Sequence, residues 1–331
     1  MKPGPALLRS PGFLRPLLVV VACALLPGSV ARAVQGEPAT SPDPNPGLFA
    51  YDKRAPLDAV ATPFPVADST TRVDLVEYTT FDGTRVPGLF LRPTGARTRG
   101  ACLIVQHGLG GNKGDMVAAL PQFVGMGYGV LAIDAREHGA RGSVTDGVNA
   151  AHDPVLLEAM LRETVIDLRR GIDVLTRRAE CDRRRIGYVG YSMGGMLGAL
   201  LAGADRRVKA PALVLAGGDW QVHFDSRADV FLPGIRDEPE RLLTARALLD
   251  PVDPVRWAGR ISPRPVLVIG AREDLAIVPA MVDALFQAAR DPKQVVWLEG
   301  GHLLFGPYAA AAHDALAAWF TAHLPAQRTP R

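Results

Sequence analysis

The sequence lacks the residue patterns of a metal or nucleotide site. It has no H-E-x-x-H motif, and its 3 cysteines do not cluster with histidines at zinc-site spacing. The Gly-rich residues 108–111 do not continue as a phosphate-binding loop, because Lys113 stands where G-x-G-x-x-G requires glycine and no Gly-Lys-Ser/Thr follows. We therefore expect neither a metal nor a cofactor.

The sequence also lacks a strong charge of one sign. The formal net charge is +3, and residues 1–33 carry four basic and no acidic side chains, so the rest of the chain has a charge of −1. This balance gives no electrostatic reason for nucleic acid or an anionic membrane as a partner. The apolar run 17–26 is too short to cross a bilayer comfortably, so we expect no integral membrane span.

The first 33 residues have the pattern of a secretory signal. Basic side chains precede the apolar run 17–26, and the small residues Ala31 and Ala33 follow it. Residues 20–23 also resemble a bacterial lipobox, which would place a lipid anchor at Cys23, although the chain after Cys23 stays apolar. We expect cleavage after Ala33 and a secreted or periplasmic protein, with a membrane-anchored lipoprotein as the alternative.

The rest of the chain divides into a Pro-rich tether at 34–47, one large domain at 48–324 and a tail at 325–331. The tether has too few apolar residues to order itself. Two cysteines, Cys102 and Cys181, lie in the domain. We expect Cys102 to be buried as a packing residue, and a disulfide between the two cysteines is the alternative.

Short apolar runs alternate with helix-like segments through the domain. Continuous apolar runs are typical of strands buried on both faces of a parallel sheet, and apolar residues recur at helical spacing from Leu161 to Leu175. Segments 73–79 and 85–92 predict an antiparallel hairpin. The pattern predicts an α/β fold with a doubly wound, mostly parallel sheet and helices on both faces. The apolar runs lie at 101–106, 129–133, 185–189, 212–216, 265–269 and 294–298.

The interval 219–262 follows the strand at 212–216, the sixth predicted strand when the two hairpin strands are counted, and it is too long for a simple crossover. It contains a helical pattern near 240–249 and several aromatic residues, among them Trp220. We expect an insert at the carboxyl ends of the strands, where open α/β sheets bind ligands, and we expect it to shape the pocket with Trp220 as a substrate-binding residue. The alternative is an ordinary crossover helix with a long loop.

A serine stands where a strand is expected to turn into a helix. Residues 190–194 are Gly-Tyr-Ser-Met-Gly, after the apolar run 185–189 and before a helix-like segment. A tight turn of this kind presents the hydroxyl of Ser192 as a nucleophile. Gly190 and Gly194 remove side chains that would collide in the turn.

A nucleophilic serine needs a base and an acid that orients the base. His302 is the candidate base, because it lies in a Gly-flanked loop directly after the last predicted strand. Asp274, which follows the strand at 265–269, is the preferred acid, and Glu273 and Asp219 are the alternatives. The histidines expected in loops or on helix surfaces, without a functional role, are His138, His152, His313 and His323.

An oxyanion hole completes such a site, and backbone N–H groups form it. We expect one N–H from Met193, the residue after the nucleophile. The other comes from the Gly-rich loop after the first buried strand, where Leu109 is preferred and Gly110 is the alternative. His107 is expected to organise this loop and not to catalyse.

These motifs together resemble the α/β-hydrolase superfamily over about residues 73–323. The resemblance implies that Ser192 is the nucleophile, His302 the base and Asp274 the acid. Within the superfamily the chain looks similar to dienelactone-hydrolase-like and acetyl-xylan-esterase-like enzymes, and to the catalytic domain of prolyl oligopeptidases. Dienelactone hydrolases generally have cysteine at the position of Ser192, and this chain has no room for the propeller of prolyl oligopeptidases.

The sequence therefore predicts a secreted serine hydrolase that cleaves small carboxylic esters through an acyl-enzyme. A serine peptidase or amidase would use the same three residues and is one alternative. A non-catalytic binding module on the same fold is the other alternative.

Overall fold

The computed structural model describes residues 44–66, 68, 70–95, 99–119, 121–226, 228–304 and 306–327. The predicted signal at 1–33, the possible lipid anchor at Cys23 and residues 34–43 of the predicted tether lie outside these ranges. The predicted domain at 48–324 is described almost throughout.

The described residues contain one sheet of nine strands. The strands are β1 (Val60–Phe64), β2 (Thr71–Thr79), β3 (Arg85–Pro93), β4 (Gly100–Gln106), β5 (Gly129–Ile133), β6 (Cys181–Tyr191), β7 (Val208–Val214), β8 (Val266–Ala271) and β9 (Lys293–Leu298). Their order across the sheet is β1-β2-β3-β5-β4-β6-β7-β8-β9. β1, β2, β3 and β5 pair antiparallel, and all pairs from β5 to β9 are parallel.

Helices cover both faces of this sheet. They are α1 (Lys113–Ala119), α2 (Pro121–Gly125), α3 (Val144–Ala151), α4 (Pro154–Arg177), α5 (Met193–Ala204), α6 (Trp220–Asp225), α7 (Pro239–Leu249), α8 (Pro254–Ala258), α9 (Pro279–Ala288) and α10 (Gly306–His323). Successive residues of β4 belong to different cores: Ile104 packs in the core that includes α4, α5, α8 and α9, and Leu103 packs in the core that includes α2 and α10. The predicted doubly wound α/β fold is confirmed.

The central strands form because their sequences are apolar on both faces. Every residue of β4, β5 and β8 is buried, as expected for strands covered by helices on each side. The predicted hairpin is present as β2 and β3. β1 was not predicted, because this edge strand contains Pro63 and all five of its residues are exposed, so it has no apolar alternation. Among the described residues, no helix combines the length and the apolar character needed to span a bilayer.

The expected role of Cys102 as a simple packing residue is wrong. Cys102 in β4 forms a disulfide with Cys181 in β6, and their Cα atoms are 5.6 Å apart. The two strands are neighbours, and β6 begins at Cys181, four residues before the apolar run that predicted it. The early start of β6, which the charged residues 182–185 concealed, brings the cysteines together.

The start of the predicted tail at 325–331 packs against the sheet. The Ala101 N–H donates to the carbonyl oxygen of Ala326 at 3.0 Å, and Ala326 is buried. The Tyr128 hydroxyl donates to the Leu324 carbonyl at 2.8 Å just before it. These contacts fix the end of α10 at the amino ends of the strands, away from the edge where the predicted nucleophile lies.

Candidate active site

The turn between β6 and α5 places Ser192 at the carboxyl end of the sheet. Ser192 has φ 54° and ψ −122°, a strained conformation for a residue with a side chain. A Cβ atom on Gly190 would lie 2.1 Å from the Gly194 carbonyl oxygen, and one on Gly194 would lie 2.4 Å from the Gln106 carbonyl oxygen. Only glycine fits at either position, so the two glycines allow the strained turn that exposes the serine hydroxyl.

The three predicted side chains meet in a hydrogen-bonded chain. Nε2 of His302 is 2.8 Å from Oγ of Ser192, and Nδ1 of His302 is 2.7 Å from Oδ2 of Asp274. A carboxylate can only accept, so Nδ1 donates to Asp274 and Nε2 is left to accept from the serine hydroxyl. This is the arrangement in which a histidine can take a proton from a serine.

Asp274 is held on its other oxygen by the chain that follows it. Oδ1 accepts from the N–H groups of Ala276 at 2.8 Å and Ile277 at 2.9 Å, and the carboxyl is buried. The alternative acids lie elsewhere. Glu273 is exposed, and Asp219 accepts from backbone N–H groups at the start of α6. Among the three candidates, only Asp274 is hydrogen-bonded to the imidazole.

The Gly-rich loop after β4 lies against the serine. A Cβ atom on Gly108 would be 3.1 Å from the Cβ of Ser192. Gly110, the alternative oxyanion donor, gives its N–H to Nε2 of His138 at 3.0 Å. No hydrogen bond within the described part of the chain uses the N–H of Leu109. Met193 is the first residue of α5, where an N–H has no acceptor inside the helix. The N–H groups of Leu109 and Met193 are therefore the better candidates.

Two buried histidines connect this loop to the loop after β5. Nε2 of His107 accepts from the Ala135 N–H at 3.1 Å, and Nε2 of His138 accepts from the Gly110 N–H, so each loop donates to a histidine of the other. Nδ1 of His138 donates to the Arg136 carbonyl at 2.7 Å. Burial lowers the pKa of His107 to about 4 and also lowers the pKa of His138. Both rings are therefore neutral acceptors at neutral pH.

This arrangement agrees with the prediction that His107 organises the loop, and it corrects the prediction for His138. His138 was expected in a loop or on a helix surface without a functional role; it does lie in a loop, but it is 1% exposed and accepts from the Gly110 N–H. This role could not be inferred from the sequence, because His138 lies among charged residues. Those charges are themselves paired: Arg136 and Arg141 both donate to the buried carboxylate of Asp167.

A cavity of about 460 Å³ opens beside Ser192 and His302. His313, which was expected to have no functional role, also lines this cavity. The described residues that line it are Gly108, Leu109, Met116, Tyr191, Ser192, Leu215, His302, Leu303, Leu304, Ala309 and His313. Met116, Leu215, Leu303, Leu304 and Ala309 were missed because they are apolar, and nothing in the sequence distinguishes them from core residues.

Trp220 and the insert at 219–262, which were predicted to shape the pocket, do not line this cavity. The described lining residues all lie outside the insert. Trp220 is 4% exposed, and its ring centroid lies 5.6 Å from that of Phe231 and 6.2 Å from that of Phe224. Trp220, Phe224 and Phe231 are buried and pack on one another, so these three rings belong to the core.

Comparisons with known proteins agree with this fold. Residues 53–216 match the family model described as acetyl xylan esterase. A Bacillus subtilis (strain 168) protein named as a hydrolase, YtaP, is 28% identical over 140 residues, which are 38% of this chain and 46% of that protein. The match thus spans about half the length of that curated relative.

Solved structures share the fold over most of the chain. The acetyl xylan esterase from Paenibacillus sp. R4 superposes with a TM-score of 0.69 at 24% identity, over 84% of this chain and 92% of that one. Acetyl xylan esterase 1 from Thermoanaerobacterium sp. JW/SL YS485 gives 0.66 at 20% identity, over 80% and 88%. The dienelactone hydrolase structure from Klebsiella pneumoniae gives 0.54 at 18% identity, over 80% and 98%. The chain therefore shares the fold of these α/β hydrolases, and residues 53–216 are similar to the acetyl xylan esterase family.

Proposed function

We propose that this protein is a serine-dependent hydrolase of carboxylic esters. The observation that carries the proposal is the hydrogen-bonded chain from Asp274 through His302 to Ser192. The match to the acetyl xylan esterase family model supports an ester as the substrate. A covalent acyl-enzyme requires only these side chains and a pair of N–H donors, so no cofactor is needed.

The proposed reaction has two halves. The Ser192 oxygen attacks the acyl carbon of the ester while Nε2 of His302 takes the hydroxyl proton, and the N–H groups of Leu109 and Met193 bind the oxyanion. The bond to the alcohol oxygen then breaks, and His302 returns the proton to that oxygen. Water adds to the acyl-enzyme with the same histidine as base, and the acid product leaves as Ser192 regains its proton. Asp274 keeps the imidazole in the required tautomer throughout.

The test compares two serine variants. Ser192→Ala should reduce turnover of p-nitrophenyl acetate by at least about 10⁴-fold, because the acyl-enzyme cannot form. It should also abolish labelling by a fluorophosphonate probe. Ser262→Ala is the control, since its exposed hydroxyl donates to the Asp291 carbonyl near the amino end of β8. Equal turnover in the wild type and Ser192→Ala would reject the proposal.

We also propose that the protein is exported, with residues 1–33 removed. The disulfide between Cys102 and Cys181 supports an oxidising compartment. The measurement is the intact mass of the protein recovered outside the cytoplasm. The mass of a chain that starts at residue 34 agrees with the proposal. A lipid-modified Cys23 would support the anchored alternative. An uncleaved protein found in the cytoplasm would contradict export.

A further inference from the structure

The wall of the Ser192 cavity is apolar. Apart from Ser192 and His302, the polar side chains among its described lining residues are those of Tyr191 and His313, and none of the lining residues is Asp, Glu, Lys or Arg. The Tyr191 hydroxyl is buried and has no protein partner in the described part of the chain. The apolar wall consists of Leu109, Met116, Leu215, Leu303, Leu304 and Ala309.

The apolar residues that line the cavity range from buried to exposed. Met116 and Leu215 are 9% and 3% exposed, and they belong to the packed interior. Leu303, which also lines the cavity, is 53% exposed. A substrate in the cavity therefore meets both buried and exposed apolar side chains.

A sugar ring is a poor match for such a wall. Each hydroxyl that enters an apolar site without a hydrogen-bond partner loses its hydration, and the described lining residues offer few partners. An alkyl chain has the opposite preference, because burying each methylene is favourable. The cavity also exceeds the needs of an acetyl group: at about 460 Å³ it lies within the range of sites that enclose whole small molecules.

We propose that the ester substrate carries an apolar chain several carbons longer than acetyl, and that this chain occupies the cavity between Met116 and Leu304. This inference rests on the proposed function. The chain can belong to the acyl group or to the alcohol, since lining residues lie on the side of the Gly-rich loop and on the side of the His302 loop.

Two series of esters test the inference. The first extends the acyl group of p-nitrophenyl esters from acetyl to octanoyl, and the second extends the alcohol of alkyl acetates from ethyl to octyl, all below their micellar concentrations. In one series or both, kcat/KM should rise about threefold to fourfold per methylene, the ratio expected for burying a methylene, until the chain fills the cavity. Acetylated xylo-oligosaccharide should have a lower kcat/KM than the best chain.

A cavity-filling variant locates the effect. Ala309→Phe places a ring in the cavity and should lower kcat/KM for hexanoyl or longer chains at least tenfold, with acetate changed less than threefold. The matched control is Ala310→Phe, on the exposed neighbouring position of α10. An unchanged ratio of long to short chains in Ala309→Phe would overturn the assignment of the chain to this cavity.

The outcomes separate this inference from the proposed function. If acetate is hydrolysed in a Ser192-dependent way and neither series gains with chain length, the apolar-chain inference is overturned and the proposed function stands. If no ester is hydrolysed, the proposed function itself fails. A gain in the acyl series alone, or in the alkyl series alone, supports the inference and identifies which part of the ester occupies the cavity.

Discussion

The loops around Ser192 and the insert between β7 and β8 direct their side chains differently. The loops after β4, β6, β8 and β9 bring their polar atoms together around Ser192, with His302 between Ser192 and Asp274. The insert between β7 and β8 carries the more conspicuous side chains, but it turns them inward. Trp220 packs on Phe224 and Phe231 within the insert and does not line the described cavity.

The difference shows which sequence signals point to a site. An aromatic residue after a strand is equally suited to core and to binding, since either use buries its ring. A serine between two glycines, at a strand-to-helix turn, has few structural uses that would justify its strained backbone. A position after a strand end was therefore informative for Ser192 because the flanking glycines indicate a strained turn, whereas the same position says little for an aromatic residue such as Trp220.

The largest expected effect is on kcat, and it compares a carboxylate of the Ser192 site, Asp274, with a carboxylate of the insert, Asp219. Asp274→Asn should lower kcat for ester hydrolysis by about 10⁴-fold, because an amide NH₂ facing Nδ1 favours the wrong imidazole tautomer. Asp219→Asn is the matched change in the insert, where the side chain accepts from backbone N–H groups of α6, and it should leave kcat within about threefold. Steady-state kinetics of both variants are the measurement. A larger loss in Asp219→Asn than in Asp274→Asn would make Asp219 the acid.

A second substitution tests whether the insert is core. Trp220→Ala removes a buried ring and should lower the free energy of unfolding by about 3–5 kcal/mol. The folded fraction should keep kcat/KM within about threefold, because Trp220 does not line the described cavity. Urea denaturation and kinetics well below the unfolding transition measure the two quantities. An unchanged stability with a tenfold higher KM would restore Trp220 as a substrate-binding residue.

The same comparison explains how far the sequence could predict this structure. The strands β4 to β9 were predicted from continuous apolar runs, which in β4, β5 and β8 reflect burial on both faces. Ser192, Asp274 and His302 were identified by the strand ends that they follow, and the structure places them within hydrogen-bonding distance. β1 escaped prediction because an exposed edge strand needs no apolar pattern.

Features that depend on packing between distant segments could not be predicted. The disulfide forms because β6 begins at Cys181. The charged residues 182–185 concealed this start of the strand. The role of His138 depends on a carbonyl and an N–H from two different loops. The cavity wall consists of apolar residues such as Leu304 that become a surface only because a neighbouring space is left open. In each case the residue type is compatible with many environments, so the sequence alone could not show which one it occupies.

The smallest expected effect compares two buried histidines. His138→Phe removes the acceptor of the Gly110 N–H, so the Gly-rich loop loses a hydrogen bond at the residue after Leu109. We expect kcat to fall about 10- to 100-fold, with KM changed less, because the oxyanion donor is then less well positioned. His138→Gln keeps a carbonyl oxygen that can accept and should recover part of the rate.

His223→Phe is the control in the insert, where the ring donates only to the Phe231 carbonyl and its other nitrogen has no partner in the described part of the chain. That variant should keep kcat, because nothing around Ser192 depends on His223. If His223→Phe and His138→Phe lower kcat equally, the loss comes from general loosening of the core, and His138 has no particular role in placing the oxyanion loop.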